Sequence, residues 1–184
     1  MTAPSSPKPA AAQVRKRKSW SKALDVASWV MLAGFLAYLL LRDTGGPKQG
    51  SAAPALWLQA LDGSSDQLLP AQPQPRPLLI KVFASWCGAC RRSTWLDDVA
   101  GLHSGPHLDY VAVSVDDEIE AARRARAQWS IDSPVLFDRD QALSAKYGIQ
   151  VLPTYILVDS TGHIARVTTG LPGPLDYKAW HDAH

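Results

Sequence analysis

A chain of 184 residues with 46% hydrophobic and 20% charged content can bury one core of ordinary size, so one folded domain plus extra segments is expected. The net charge of +2 is unevenly placed: eight of the nineteen Lys/Arg fall in residues 1–48 against two acids, which leaves 49–184 at −4. A mildly acidic body excludes a nucleic-acid-binding surface there, because phosphate neutralisation needs clustered cations.

Residues 1–14, MTAPSSPKPAAAQV, are too rich in Pro, Ala and Ser to fold, and 1–22 read as a basic tail ending in Arg15-Lys16-Arg17-Lys18 and Lys22. Val26 to Leu41, VASWVMLAGFLAYLLL, is uncharged. Sixteen helical residues span about 24 Å against a hydrocarbon core of ~30 Å, so Leu24 and an interfacial Asp25 must extend the run. Trp20, Trp29 and Tyr38 suit its ends. The expectation is a single transmembrane anchor over 23–42, with residues 1–22 on the cytoplasmic side and everything after Arg42 exported. A cleaved leader is the alternative, but its small-residue site, Ala53-Pro54-Ala55, lies far beyond Leu41. Asp43 to Pro54, DTGGPKQGSAAP, reads as a flexible linker, and 55–184 as the folded domain.

Within that domain Leu56–Leu61 reads as a strand before the Asp62-Gly63 turn, and Pro70–Pro77 as an extended loop. Leu78–Ala84, LLIKVFA, fits a central buried strand. Cys87–His103 follows as a helix whose inner stripe is predicted to be Trp95, Val99 and Leu102. Leu108–Val115 is a second buried strand, and Asp117–Trp129 a helix with Ile119, Ala122 and Trp129 inward. Pro134–Phe137 is a short strand and Asp140–Tyr147 a helix stopped by Gly148. Thr154–Val158 and Ile164–Thr168 flank a hairpin signal, Asp159-Ser160-Thr161-Gly162. Leu175–Trp180 is at most a short helix. Strands alternating with helices and closing on a hairpin imply an α/β sandwich with a mixed sheet.

The stretch FASWCGACRR holds the only two cysteines, Cys87 and Cys90. A thiolate is the attacking species, and a free thiol near pKa ~8.5 is mostly protonated at neutral pH. Where a strand ends and a helix begins, Cys87 gains the unsatisfied amides and partial positive charge of the helix N-terminus. Cys90 lies one turn on, placed to resolve a mixed disulfide: Cys87 attacks, Cys90 resolves, and no soluble cofactor is needed. Other readings stand beside this one. A purely stabilising disulfide across two residues constrains the unfolded chain little. Zinc needs about four ligands, and the five histidines are scattered. A Cu(I)-carrying dithiol needs fewer ligands and is the non-enzymatic alternative.

Trp86-Cys87-Gly88-Ala89-Cys90 after an apolar strand, with Val151-Leu152-Pro153-Thr154 before another, resembles the thioredoxin superfamily. The additional helix and strand over about 117–137 resemble its TlpA/ResA/CcmG-like (DsbE-type) branch. The resemblance implies a thioredoxin-like three-layer sandwich with a mixed central sheet, a cis Pro153 beside the cysteines, and Leu152 as a substrate-facing position. It further implies a domain tethered to a bacterial inner membrane and facing the periplasm. Such a domain reduces disulfides of exported proteins, often of apocytochrome c, with electrons from a membrane-embedded thiol donor. An oxidase or isomerase of exported proteins would use the same residues. The family's copper chaperones carry a His near the substrate loop, and Gln150-Val151-Leu152 offers none.

Three positions depart from the family pattern. Ala89 stands where thioredoxin has proline. Ser93 stands where cytochrome-maturation members commonly hold an acid. Lys81 stands where thioredoxins bury Asp. If strand alternation aims it under the cysteines, Lys81 would support a thiolate and handle the resolving thiol's proton; otherwise it packs its stem and reaches solvent. Trp86 is expected to shield the nucleophile and offer an apolar contact to substrate.

Overall fold

The computed structural model describes residues 14–41, 48–70 and 75–183, with side chains in the N-terminal helix described from 24 to 38. Most of the basic tail and residues 42–47 and 71–74 lie outside the described residues. Two compact units divide near Thr44. In the first, α1 (Val14–Leu41) is one helix, and every described side chain from Leu24 to Tyr38 is exposed. Among the described residues no helix is long and apolar enough to cross a membrane, in keeping with an uncharged run of only sixteen residues.

The second unit is a seven-stranded mixed sheet in the order β2-β1-β5-β4-β3-β6-β7. Its strands are β1 (Leu56–Ala60), β2 (Gln67–Leu69), β3 (Leu78–Phe83), β4 (Asp109–Ser114), β5 (Val135–Phe137), β6 (Thr154–Val158) and β7 (Ile164–Thr169), and its helices are α2 (Gly88–Val99), α3 (Ile119–Gln128), α4 (Ala142–Tyr147) and α5 (Pro174–His181). β3, β4 and β5 run parallel, β6 and β7 antiparallel to their neighbours. This is the thioredoxin-like α/β sandwich with a mixed sheet.

β3 is buried along its whole length, as a strand covered on both faces must be. Its alternation sorts the two faces. Leu78, Ile80 and Val82 pack with Leu143 and Tyr147 of α4. On the other face Phe83 joins Ala122 and Ala125 of α3 and the two cysteines, while Leu79 joins Leu102, Tyr155 and Trp180 of α5. Successive parallel crossovers stepping the same way place α2 and α3 on one face. Tyr155 and Trp180 stack there at 4.8 Å.

Three expectations need correction. Trp95 and Val99 are exposed, at 62% and 66%, and α2 ends at Val99, where Ala100 caps it and the left-handed Gly101 turns the chain, φ +65°. Its buried residues are Cys90, Ser93 and Asp97. The face is polar because it serves a charged partner on β3. Second, β2 is absent from the sequence expectation: three residues, only one of them fully buried, give no periodic signal. Third, the predicted linker 43–54 is not free along its described part. Gly50 N–H donates to Ile164 O at 2.7 Å, Ile164 N–H to Ser51 O at 2.8 Å and Ala53 N–H to Gly162 O at 2.9 Å, while the Tyr147 hydroxyl donates to Pro54 O at 3.0 Å. Backbone pairing needs no apolar pattern, so composition does not reveal it.

β7 starts opposite Val158 and ends opposite Thr154, and Thr154 lies beside Val82 at the cysteine end of β3. The chain therefore enters the domain at the end of the sheet opposite the cysteines.

Candidate active site: a cysteine pair over a buried lysine

Cys87 is the N-cap of α2, with extended backbone, and its sulfur accepts the Cys90 N–H at 3.1 Å. Each of the two jobs fits its position. Cys87 is 8% exposed and Cys90 fully buried, so a substrate reaches only the first. The two are joined in a disulfide with Cα atoms 5.2 Å apart. Cys87 and Leu152 share a groove of about 420 Å³ with Trp86, Val115, Asp117 and Ile149, and Trp86 is 74% exposed. The Leu152–Pro153 bond is cis. Gly170 N–H donates to Pro153 O at 2.7 Å and the Thr154 hydroxyl to Val151 O at 2.6 Å, which holds this loop against the cysteine end of the sheet.

Lys81 does not reach solvent: it is 2% exposed. Its register neighbours are Ala112 on β4 and Tyr155 on β6, and its face is that of Leu79 and Phe83, beneath α2. Its ammonium donates to Asp97 Oδ2 at 2.7 Å and to Thr94 Oγ1 at 2.8 Å. Thr94 in turn donates to Cys90 O at 3.0 Å, and Ser93 to the same carbonyl at 2.9 Å. Cys90, Thr94 and Asp97 sit at i, i+4 and i+7, one stripe of the helix. Desolvation lowers the Lys81 pKa, and the charge and hydrogen bond of Asp97 partly offset this.

Asp97 is the site residue that the sequence expectation lacks. Besides Lys81 it accepts hydrogen bonds from Tyr155, 2.8 Å to one oxygen and 3.0 Å to the other, from Tyr110 at 3.1 Å and from Tyr177 at 2.8 Å. A buried lysine demands an acid, and an acid seven residues after Cys90 is the signal that points to it. A cavity of about 30 Å³ reaches this cluster, lined among others by Lys81, Thr94, Asp97 and His103; that is room for a water.

A disulfide whose first cysteine lines a groove and whose second is fully buried, over a charged and hydrogen-bonded cluster, defines a thiol-disulfide oxidoreductase of thioredoxin fold. Comparison with known proteins agrees. The Redoxin family model matches residues 48–175, and the chain belongs to that family. It is 26% identical over 131 residues to thiol-disulfide oxidoreductase ResA of Geobacillus thermodenitrificans, covering 70% of this chain and 74% of that protein. With ResA of Halalkalibacterium halodurans it shares 23% identity over 158 residues, 84% and 89% of the two chains. StoA of Bacillus subtilis has the same fold, with TM-score 0.60 over 72% of this chain and 99% of that one at 17% identity.

Removing one partner of a buried pair strands the other. Lys81→Met is expected to cost ~3–5 kcal/mol in urea denaturation, whereas Lys178→Met, which breaks the exposed pair with Asp182, shifts stability by less than ~1 kcal/mol. Equal effects would mean that the buried pair carries no special weight.

The tyrosines predict an alkaline limit. Burial pushes the hydroxyls of Tyr110, Tyr147, Tyr155 and Tyr177 above the ordinary 10.0, and Asp97 adds to this at Tyr110, Tyr155 and Tyr177. Unfolded tyrosines release protons near pH 10 while the folded ones keep theirs, so the folded state binds more protons and stability falls as pH rises. The depressed Lys81 opposes this by at most one proton. The urea midpoint should hold to about pH 9 and drop steeply above about pH 10, with most tyrosinate absorbance appearing only as the chain unfolds. Full tyrosinate absorbance in a still folded protein would refute the assignment.

Proposed function

We propose that this protein is a membrane-tethered, exported reductant of protein disulfides, drawing electrons from a membrane-embedded thiol donor, with apocytochrome disulfides one candidate substrate. The observation that carries the catalytic part is the split accessibility of the pair. Cys87 thiolate attacks a substrate disulfide, forming a mixed disulfide and releasing one substrate thiolate that takes up a proton. Cys90 thiolate then attacks Cys87 Sγ, releasing the second substrate thiol, and two electrons have passed to the substrate. No cofactor enters this cycle. Trp86 and Leu152 offer apolar contact to the chain bearing the disulfide, and Pro153 fixes the loop that presents Leu152.

The charges beneath the pair support reduction as the direction of electron flow. A strong oxidant stabilises its thiolate, but here the charge of Lys81 is cancelled by Asp97. Of thiolate-stabilising devices the helix N-terminus remains. The Lys81–Asp97 pair sits one hydrogen-bonded step from Cys90 through Thr94. The proton that Cys90 gives off on resolution leaves with the second substrate thiol, while Thr94, bonded to the Cys90 backbone carbonyl and to Lys81, lets the pair hold Cys90 in position.

For the full chain carrying Cys90→Ser, exported proteins should accumulate as dithiothreitol-sensitive adducts on Cys87, and Cys87→Ser should trap none. Thiol alkylation of wild type in cells should find the pair mainly reduced. A pair held oxidised, with substrates gaining disulfides, would make the protein an oxidase.

The anchor reading rests on the exposed apolar side chains of α1, on the basic residues before it and on tryptophan at its end. Such a surface is too large for a free monomer in water. After expression in a Gram-negative bacterium the protein should stay in the membrane pellet through alkaline carbonate washing, with the cysteine domain open to protease only once the outer membrane is permeabilised. Extraction by carbonate would sink the anchor.

A further inference from the structure

Asp116 lies two residues beyond the end of β4 and is 2% exposed. Its carboxylate accepts the Ser85 N–H at 3.0 Å to each oxygen, the Ser85 hydroxyl at 2.7 Å and the Ser114 hydroxyl at 2.8 Å. Its own N–H donates to Ser114 Oγ at 3.2 Å. Among the described residues no cation pairs with it: the ion pairs there fall on Asp97, Asp109, Glu120, Asp176 and Asp182. Asp116 is thus satisfied by hydrogen bonds alone, and its field is not cancelled as that of Asp97 is.

Ser85 begins the turn that carries Cys87, and Cys87 N–H donates back to Ala84 O at 3.1 Å. Two residues of chain place the carboxylate on the order of 10 Å from the Cys87 sulfur, within one Debye length at ~0.1 M salt. The other groups about Cys87 are few. Asp117 lines its groove, together with the uncharged Gln141, Ser144 and Gln150 near α4. On α2, Arg91 and Arg92 are exposed, and Lys81 with Asp97 forms a neutral pair.

We infer that Asp116 is a positioning residue that also acts through its charge. By way of Ser85 it fixes the turn that presents Cys87, and its uncancelled negative charge disfavours a thiolate there. This deepens the reductant reading and rests on it for its biological sense. The helix N-terminus favours thiolate, Asp116 opposes it, and the reduced pair keeps a protonated thiol at neutral pH. The Cys87/Cys90 couple then lacks the thiolate stabilisation that makes oxidants of this fold oxidising.

The test uses the full chain in detergent, with the pH dependence of Cys87 alkylation by iodoacetamide and the redox equilibrium against dithiothreitol as readouts. Asp116→Asn keeps an acceptor for Ser85 and removes the charge. It should lower the alkylation midpoint by about one pH unit, a tenfold gain in thiolate where the thiol is mostly protonated. At pH 9 it should raise the potential by up to ~30 mV, the equivalent of tenfold in the equilibrium. Ser85→Ala loosens the turn without touching the charge and should slow exchange while leaving the midpoint in place. A folded Asp116→Asn with the wild-type midpoint overturns the inference. If that variant does not fold, wild type decides: a midpoint at or above the ordinary ~8.5 supports the inference, and a lower one overturns it. A low midpoint in a protein still mainly reduced in cells would defeat the role of Asp116 and leave the reductant reading standing.

Discussion

Asp97 ties the active-site layer together. Sitting on α2, it receives a lysine from β3, a tyrosine from β4, a tyrosine from β6 and a tyrosine from α5, so one carboxylate joins five elements. Each donor is buried or partly so, and each would cost about 1–3 kcal/mol if left unpaired. Hydrophobic packing alone would let α2 slide or turn over the sheet at little cost. Five directional bonds to one side chain do not, and the position of Cys90, on the same stripe two turns earlier, is inherited from them.

That constraint explains why the nucleophile and the resolver differ so sharply. Cys90 faces the sheet because Asp97 does, and its carbonyl is occupied by Ser93 and Thr94. Cys87, as N-cap, lies at the lip where the helix begins. The order of attack is thus set by the rotation of α2 about its axis, and that rotation is set by the polar cluster. The loop at Pro153, held by the Gly170 N–H, brings Leu152 to the groove that Cys87 lines.

The outline is plain from sequence alone. The all-apolar flanks of β3 leading into the cysteines, the turn before β7 and the breaks at Gly148 and Gly162 each rest on local chemistry, and local chemistry is what a sequence displays. Lys81 stands out for the same reason, as a charge inside an apolar run. What stays hidden depends on pairing between distant residues. Trp95 and Val99 obey helical spacing as well as Asp97 does, and periodicity cannot say which stripe faces inward when the inward one is polar. The segment at Ser51 pairs by backbone alone. Asp116 looks like one more surface acid beside Asp117, and only its burial and the donors around it distinguish the two.

Among the described residues the domain buries three acids, Asp97, Asp116 and Asp138, against one lysine. Asp138 caps the start of α4, accepting the Leu143 and Ser144 amides at 3.1 Å, and the partial positive charge of those amides answers it. Asp97 is answered by Lys81. Asp116 is answered by the Ser85 amide and by the Ser85 and Ser114 hydroxyls, with no cation, and the Ser85 donors tie it to the turn of the nucleophile. A fold built to stabilise a thiolate would place its lysine there and its acid elsewhere. The opposite allocation, with the cation held in the scaffold and the anion left on the turn of the thiol, is what the proposed reductant reading and the proposed role of Asp116 both draw on.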